Sequence, residues 1–328
     1  DGEQIIGSLT AALKHRSDVV DLTSLDSLTN QIVLLAAIKN DAAIEIYRST
    51  DNGDSFVSTP ISTVITAATA DNPNLLEMGG KILICAYNSD TSNSALKRST
   101  DNGATWGSAI VIQADGGSDG CLDVKLFRHR RSNRLFAFMV QEGTDYNLIY
   151  RYSDDEGLTW SAVQNIATGL VDIDFVATLA IHTNKEETQI AVLYIDDSDN
   201  DIFYYRGLIS DTGAITSWAI NSGSAIYVNS IGNAVAKLNN GSSVLTMIAL
   251  TASDPNKLYY RMENRVDVPA DTMFKGNERL LIDYSAGANK INDVNIKRFK
   301  DGTIGLIWNK YDANAAVRFK FLYPVQLS

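Results

Sequence analysis

Short apolar runs separated by polar turns recur along the whole chain. The most apolar runs are five to seven residues long and rich in β-branched and aromatic residues; they cover 32–38, 82–87, 135–140, 190–195, 244–250 and 304–308. Runs of this length and composition favour strands over helices. No segment combines a sustained 3.6-residue period with capping residues. The pattern therefore predicts an all-β protein with almost no helix.

A second pattern repeats at intervals of 50 to 55 residues. It is an apolar run that ends in an arginine, and the five arginines are Arg48, Arg98, Arg151, Arg206 and Arg261. After the first three arginines the chain continues in related octets, Ser49–Phe56, Ser99–Trp106 and Ser153–Trp160, each with aspartate third and glycine fifth. Self-similarity at such a spacing is typical of repeat architectures in which each copy is one supersecondary unit.

Each octet has the chemistry of a tight turn. Its aspartate can accept hydrogen bonds from the backbone of the turn, and its glycine permits a positive φ. The final aromatic residue can pack under the neighbouring repeat. We interpret Asp51, Asp101 and Asp155 as structural turn residues that join the third and fourth strands of their units.

Six copies of a four-stranded unit of about 50 residues predict a six-bladed β-propeller with antiparallel blades. The whole chain, 1–328, then forms a single domain, and the predicted blades are 17–62, 63–115, 116–169, 170–223, 224–284 and 285–328. The sixth copy ends after its third strand. We therefore expect residues 4–14 to supply an N-terminal strand that closes the last blade and protects its open edge.

The three octets resemble the Asp-boxes of the sialidase (BNR-repeat) superfamily. The stretch Asp301–Trp308 is also similar to the Asp-Gly-x-Ile-Gly-Leu-Leu-Tyr segment in the closing blade of sialidases. The resemblance covers nearly the whole chain at the level of fold. It implies a six-bladed propeller that is secreted or displayed on a surface and that handles carbohydrate.

The resemblance does not extend to the catalytic residues of sialidases. The tyrosine nucleophile of that family falls on Asp293, its partner glutamate on Asn309, and the glutamate of the fifth copy on Gly232. The first arginine of the family's triad is also missing, because the equivalent stretch reads Asp18–Asp21. Three arginines hold the sialic acid carboxylate through charge-assisted bidentate bonds. A conventional sialidase is therefore not expected.

Charge and composition narrow the choice of partner. The chain has 28 basic and 39 acidic residues, a net charge of −11, which argues against nucleic acid and against an anionic membrane surface. No apolar run approaches the roughly 18–20 residues needed to span a bilayer, so membrane insertion is not expected. Because the chain begins at Asp1 without a signal-like segment, we expect a mature form or a fragment.

Acidic and amide residues stand near the start of almost every predicted first strand, where propeller ligands usually bind. Paired carboxylates at such a site can act as general acid and base on a glycosidic bond. We predict Asp293 as the catalytic carboxylate, with Asp123 or Asp174 as its partner. The predicted ligand-binding residues are Asp71, Asn74, Asn233, Asn292 and Tyr311.

Two other interpretations of these acidic residues stay open. Clustered oxygen ligands suit Ca²⁺, which can occupy the central channel although no cofactor is required. Alternatively, the side chains cap strand ends and line a water-filled channel. The leading hypothesis is a glycoside hydrolase-like protein that acts on an extracellular glycan or polysaccharide, with a neutral sugar favoured over an anionic one. The alternative is a noncatalytic glycan-binding or receptor-binding module of a larger surface or phage-like protein.

Overall fold

The computed structural model describes residues 4–8, 17–22, 33–40, 43–51, 53–67, 70–89, 93–114, 120–170, 179–183, 187–196, 201–220, 230–240, 242–251, 254–263, 279–284, 290–298, 304–311 and 316–322. All regular structure in these ranges is β-strand. The strands are, in chain order, β1 (Gln4–Ser8), β2 (Ser17–Asp21), β3 (Leu34–Lys39), β4 (Ala43–Ser49), β5 (Ser62–Thr66), β6 (Asp71–Gly79), β7 (Ile82–Asn88), β8 (Ser94–Ser99), β9 (Ile110–Gln113), β10 (Cys121–Arg128), β11 (Leu135–Gln141), β12 (Tyr146–Ser153), β13 (Gln164–Leu170), β14 (Ala180–Thr183), β15 (Gln189–Asp196), β16 (Asp201–Ile209), β17 (Ile215–Ile220), β18 (Ser230–Asn240), β19 (Ser242–Thr251), β20 (Asp254–Glu263), β21 (Arg279–Asp283), β22 (Lys290–Arg298), β23 (Ile304–Tyr311) and β24 (Ala316–Leu322).

The strands form six antiparallel sheets of four strands each. In the first five sheets, neighbouring strands follow the order of the chain: β2 to β5, β6 to β9, β10 to β13, β14 to β17 and β18 to β21. We number the sheets one to five in this order. The sixth sheet has the order β22, β23, β24 and then β1, so its outer strand comes from the N-terminal end of the described chain.

The position of a strand in its sheet follows from its hydrophobic pattern. Second strands lie between two others and are covered on both faces, so β3 and β11 are almost entirely buried. Fourth strands lie at the outside and keep few buried side chains, such as Val64 on β5 and Ile112 on β9. The first sheet includes β5 and therefore extends to Thr66, beyond the predicted blade end at residue 62.

The first strands of the six sheets lie next to one another in cyclic order, β2, β6, β10, β14, β18 and β22, with β22 again beside β2. Apolar side chains fill the space between the faces of adjacent sheets. Between sheets six and one, for example, Ile307 and Phe319 belong to the same buried cluster as Leu34 and Ile38. Four-stranded antiparallel sheets packed in this way are a β-propeller, which confirms the predicted all-β propeller fold.

The N-terminal strand is confirmed as the outer strand of sheet six. β1 pairs antiparallel with β24, with Gln4 opposite Phe319 and Ile6 opposite Val317. Ile6 is fully buried in the cluster between sheets six and one, whereas the neighbouring Ile5 is exposed. No helix in the described ranges is long and apolar enough to cross a membrane.

Candidate functional site

The two ends of the molecule carry different chemistry. At one end, which we call the upper face, first strands begin and second strands finish, as at Ser17 on β2 and Lys39 on β3. At the other end, the lower face, the octets join third strands to fourth strands. All predicted catalytic and ligand-binding residues that lie on described strands are on first or second strands near their upper ends.

Asp18 links three sheets near the upper end of the axis. It is fully buried, and its Oδ2 accepts hydrogen bonds from Asn74 Nδ2 at 2.9 Å and from the backbone N of Leu75 at 2.7 Å. Lys297 of sheet six places its Nζ 3.1 Å from the same oxygen and donates to the Leu75 carbonyl at 3.1 Å. Asp18 therefore accepts from sheets two and six while standing in sheet one.

The same arrangement recurs between the next sheets. Asn74 Oδ1 accepts from the backbone N of Leu126 in sheet three at 2.8 Å. Asp123, which is 1% exposed, accepts at Oδ1 from Val124 N at 2.8 Å and at Oδ2 from Leu179 N at 2.7 Å, just before β14. Buried carboxylates and amides are thus used to satisfy the backbone of the neighbouring sheet. These contacts favour the strand-capping interpretation for Asn74 and Asp123.

Two lysines near the axis were missed in the sequence. Lys297 pairs with Asp18, and Lys125 Nζ lies 3.9 Å from Asp123 Oδ1. The sequence could have indicated Lys125, because it stands two residues after Asp123 on the same strand and residues two apart on a strand share a face. With these cations beside the two buried carboxylates, the axis is less anionic than the strand starts imply. Within the described ranges no group of three or more His, Cys, Asp or Glu side chains could hold a metal ion.

The start of β6 is irregular. The register with β7 shifts between Asp71 and Asn74, and Asn72 adopts a φ of 52°. Asn72 Nδ2 donates to the Leu122 carbonyl of sheet three at 2.8 Å, and Asp71 Oδ1 accepts from the Asn72 backbone N at 2.8 Å. A left-handed φ is uncommon outside glycine and is best tolerated by asparagine and aspartate. This bulge turns the Asn72 amide toward the neighbouring sheet.

Three buried amide atoms at the upper face make no hydrogen bond in the described part of the chain: Asn72 Oδ1, Asn88 Nδ2 and Asn309 Nδ2. The opposite amide oxygens of the last two are engaged, Asn88 Oδ1 by Ser94 Oγ at 3.1 Å and Asn309 Oδ1 by Ser17 Oγ at 3.3 Å. Most buried polar groups in proteins are satisfied. One acceptor and two donors near the upper face are therefore unsatisfied within the described residues.

A fixed carboxylate lies at the upper end of sheet one, and it was also missed. Glu45 Oε2 accepts from Asn40 Nδ2 at 2.5 Å and from Tyr47 Oη at 3.1 Å. Burial, followed by the charge of Glu45 and by this hydrogen bond, raises the pKa of Tyr47 to about 12. Tyr47 therefore stays protonated and acts as a donor. No motif in the sequence points to Glu45, because it lies on a third strand and the predicted site residues start first strands or end second strands.

For the other predicted site residues, the pairing of the strands gives the position of the backbone. Asp293 on β22 stands opposite Asn309 on β23, and Asn292 falls in the register shift between Ile291 and Asp293. Tyr311 is opposite Lys290 at the upper end of the same pair of strands. Asn233 on β18 is opposite Ala249. Asp174 lies outside the described residues.

The octet aspartates lie at the lower face and bind within their own turns. Asp101 accepts from Thr105 Oγ1 at 2.5 Å, from Thr105 N at 2.8 Å and from Ser99 Oγ at 2.7 Å. These bonds, led by the one from the Thr105 hydroxyl, lower the pKa of Asp101 to about 2. Asp51 and Asp155 make the corresponding contacts in their octets. All three carboxylates are distant from the upper face.

No protein-family model and no curated protein matches the sequence. Solved structures do match in fold. The chain is similar to a protein of unknown function from Dyadobacter fermentans (12% identity, TM-score 0.68, 98% of both chains). It is also similar to the Penicillium chrysogenum α-L-arabinanase complexed with arabinobiose (13% identity, TM-score 0.63, 98% of this chain and 97% of that one). The intramolecular trans-sialidase from Ruminococcus gnavus gives 12% identity, a TM-score of 0.65 and 95% coverage of both chains. The resemblance to sialidases is thus confirmed at the level of fold.

Proposed function

We propose that the protein acts on an extracellular or surface-exposed glycan at its upper face, as a glycoside hydrolase-like propeller and not as a conventional sialidase. The observation that carries this proposal is the set of unsatisfied buried amide atoms of Asn72, Asn88 and Asn309. Sugar hydroxyls both donate and accept hydrogen bonds, so a glycan has the chemistry that these acceptor and donor atoms lack. An arabinanase among the similar structures was solved with arabinobiose, which supports a sugar ligand.

The charge of the protein favours a neutral sugar, or a glycan bridged by a cation such as Ca²⁺. A net charge of −11 disfavours approach of a bare anionic ligand. Asp71, Asn233, Asn292 and Tyr311 are the proposed ligand contacts. Asn74 is better suited to support them, since both ends of its amide already bond to adjacent sheets.

Asp293 is the proposed catalytic carboxylate. Hydrolysis requires an acid that protonates the glycosidic oxygen as its bond to the anomeric carbon breaks. It also requires a base that takes a proton from water while the water oxygen bonds to that carbon. Position 293 is paired with Asn309, beside one of the unsatisfied amides. Asp174 stays a candidate partner, whereas Asp123 is held by two backbone donors.

One observation favours the noncatalytic alternative, a glycan-binding or receptor-binding module of a larger surface protein. Two acids on the inner strands, Asp18 and Asp123, are buried and committed to contacts between sheets. A face that keeps its amides but lacks paired acids binds a glycan without cleaving it. The presence of a second, accessible carboxylate therefore decides between the two functions.

A panel of neutral and sialylated glycans tests the proposal, with retention and released sugar both measured. We expect the wild-type protein to retain and cleave a neutral glycan, and Asp293→Ala to retain it while releasing at least about 100-fold less sugar. Asp54→Ala, at an exposed lower-face position, is the matched control and should behave as the wild type. Retention without product in all three proteins would favour the noncatalytic module. Efficient cleavage of sialylated glycans would contradict the exclusion of a conventional sialidase.

A further inference from the structure

The upper edge of the contact between sheets six and one is polar above an apolar base. Below, Ala36 and Tyr47 of sheet one belong to the same buried cluster as Ile307 of sheet six. Above, Ser17 Oγ bonds to Asn309 Oδ1 at 3.3 Å across the two sheets. The Asn309 Nδ2 atom at this edge is buried and has no partner in the described ranges. The edge is therefore a place where two sheets meet without completing their hydrogen bonds.

Glu45 stands at the same edge. It is two residues before Tyr47 on β4, and residues two apart on a strand share a face, so Glu45 faces sheet six. Register fixes its height, because Ile38 is opposite Ser17 on one side and opposite Glu45 on the other. Ser17, Ile38 and Glu45 therefore form one row across sheet one, level with Asn309 of sheet six.

Only one of the two oxygens of the Glu45 carboxylate accepts hydrogen bonds within the described residues. Asn40 Nδ2 and Tyr47 Oη both donate to Oε2, whereas Oε1 accepts no hydrogen bond within the described residues. The side chain is partly exposed, unlike those of Asp18 and Asp123. Glu45 thus presents one fixed oxygen and one available oxygen at the upper edge of the junction.

The strand positions of Glu45 and Asp293 suit a reaction that places a water molecule between two acids. Glu45 lies two strand spacings from Ser17, about 10 Å, and Asp293 lies beyond the junction on the strand next to Asn309. Inverting glycosidases keep their carboxyl groups roughly 6.5–9.5 Å apart, whereas retaining enzymes hold them at about 5–5.5 Å. Because Glu45 and Asp293 stand on different strands of different sheets, their backbone spacing favours the longer of these two separations.

We propose that Glu45 is the second carboxylate of this site and that it acts with Asp293 by an inverting mechanism. This inference rests on the proposed hydrolase function and supplies its missing partner. Glu45 takes a proton from water as the water oxygen bonds to the anomeric carbon. Asp293 gives a proton to the glycosidic oxygen as the bond from that oxygen to the anomeric carbon breaks. The Asn309 amide donates to a hydroxyl of the same sugar.

Glu45→Gln tests the assignment on a glycan that the wild-type protein cleaves. We expect sugar release to fall at least about 100-fold while glycan retention stays within about threefold, and one limb of the pH–rate profile to disappear. Glu142→Gln is the matched control, because Glu142 follows β11 at the upper face of sheet three, away from the junction. Its sugar release should stay within about twofold of the wild type. Far-ultraviolet circular dichroism and a thermal melt confirm folding of both variants.

Proton NMR of the first-formed product supplies a second measurement that does not depend on a variant. An anomer of inverted configuration is expected, and a retained anomer would overturn the assignment of Glu45 as base. An active wild-type protein with an equally active Glu45→Gln variant would overturn Glu45 alone and leave the proposed function standing. A wild-type protein that retains glycans but cleaves none would overturn both.

Discussion

On the residue scale, the role of each aspartate depends on which hydrogen-bond donors lie next to its carboxylate. At the lower face, Asp101 binds only within its own octet, to Ser99 and Thr105. At the upper end of the axis, Asp18 and Asp123 accept backbone N–H groups of the next sheet. In both places the carboxylate satisfies backbone donors that a strand end leaves open. An aspartate at a repeated position is therefore not by itself a sign of catalysis.

The octet aspartates should make stability depend on acid pH. Hydrogen bonds from Thr105 and Ser99 lower the pKa of Asp101 from 3.8 to about 2. A carboxylate whose pKa is lower in the folded state than in the unfolded state stabilises the fold at pH values above its unfolded-state pKa. This contribution is lost as pH falls from about 4 through about 2. Asp101→Asn should therefore lower the melting temperature at pH 7 and flatten its decline between pH 4 and pH 2.

Thermal melts across this pH range check the expectation. Asp54→Asn is the control, because Asp54 is an exposed residue of the first octet and its backbone N–H donates to the Asp51 carbonyl, a bond that the substitution leaves in place. Its melting curve should follow that of the wild type at every pH. Equal declines in Asp101→Asn and the wild type would mean that the turn contributes no acid sensitivity.

On the scale of elements, the sequence was informative where a strand is covered on both sides. β11 (Leu135–Gln141) and β7 (Ile82–Asn88) are buried nearly throughout, so their runs are solidly apolar and were located to within a residue. The fourth strands were not located, because β9 has one buried side chain and β13 reads as a polar segment. Their pairing depends on the third strand beside them, which leaves no pattern in the sequence.

A decayed octet illustrates how one element can be adapted to its neighbour. In Ser210–Gly213 the serine still caps its turn, with Ser210 Oγ accepting from Ala214 N at 3.0 Å. Thr212 stands where the octets have their aspartate, and its Oγ1 lies 2.9 Å from Ser210 Oγ. The preceding residue, Asp211, forms an ion pair with Arg131 of sheet three. The Gly213 carbonyl accepts from Arg134 at 3.2 Å. This turn now holds sheets three and four together at the lower face.

Gly213→Ala tests that junction against Gly80→Ala. Both glycines have a positive φ, 75° and 60°, so each substitution carries a backbone cost of about 1–2 kcal/mol. A Cβ at Gly80 meets nothing within 4 Å, whereas one at Gly213 would lie 2.5 Å from Ser132 Oγ. Moving Ser132 breaks its 2.7 Å bond to the buried His129.

We therefore expect Gly213→Ala to be the more destabilising variant by about 1–2 kcal/mol, because it adds a lost hydrogen bond and crowding to the same backbone strain. Urea denaturation of the two variants and the wild type gives the comparison. Equal free energies of unfolding for Gly213→Ala and Gly80→Ala would show that the two turns are not in close contact.

On the scale of the whole molecule, the repeat predicted the ring but not the contacts that make a site. Ser17 and Asn309 are 292 residues apart and meet only because sheet six returns to sheet one. Lys297 reaches Asp18 for the same reason. Glu45 is proposed as a site residue because of its position at that junction and not because of any motif around it. Register and ring order are therefore needed before side chains from distant repeats can be assigned to one site.

The closing strand β1 should support the junction that carries Asn309 and Glu45. Ile6 is fully buried between sheets six and one, whereas Ile5, the preceding residue on the same strand, is 56% exposed. Ile6→Ala should lower the free energy of unfolding by about 2–5 kcal/mol because it opens a cavity, whereas Ile5→Ala should change it by less than about 0.5 kcal/mol. Urea denaturation measures both. If Ile6→Ala also weakens glycan retention at temperatures where it is folded, closure and binding share this junction; equal stability of the two variants would mean that β1 does not close the ring.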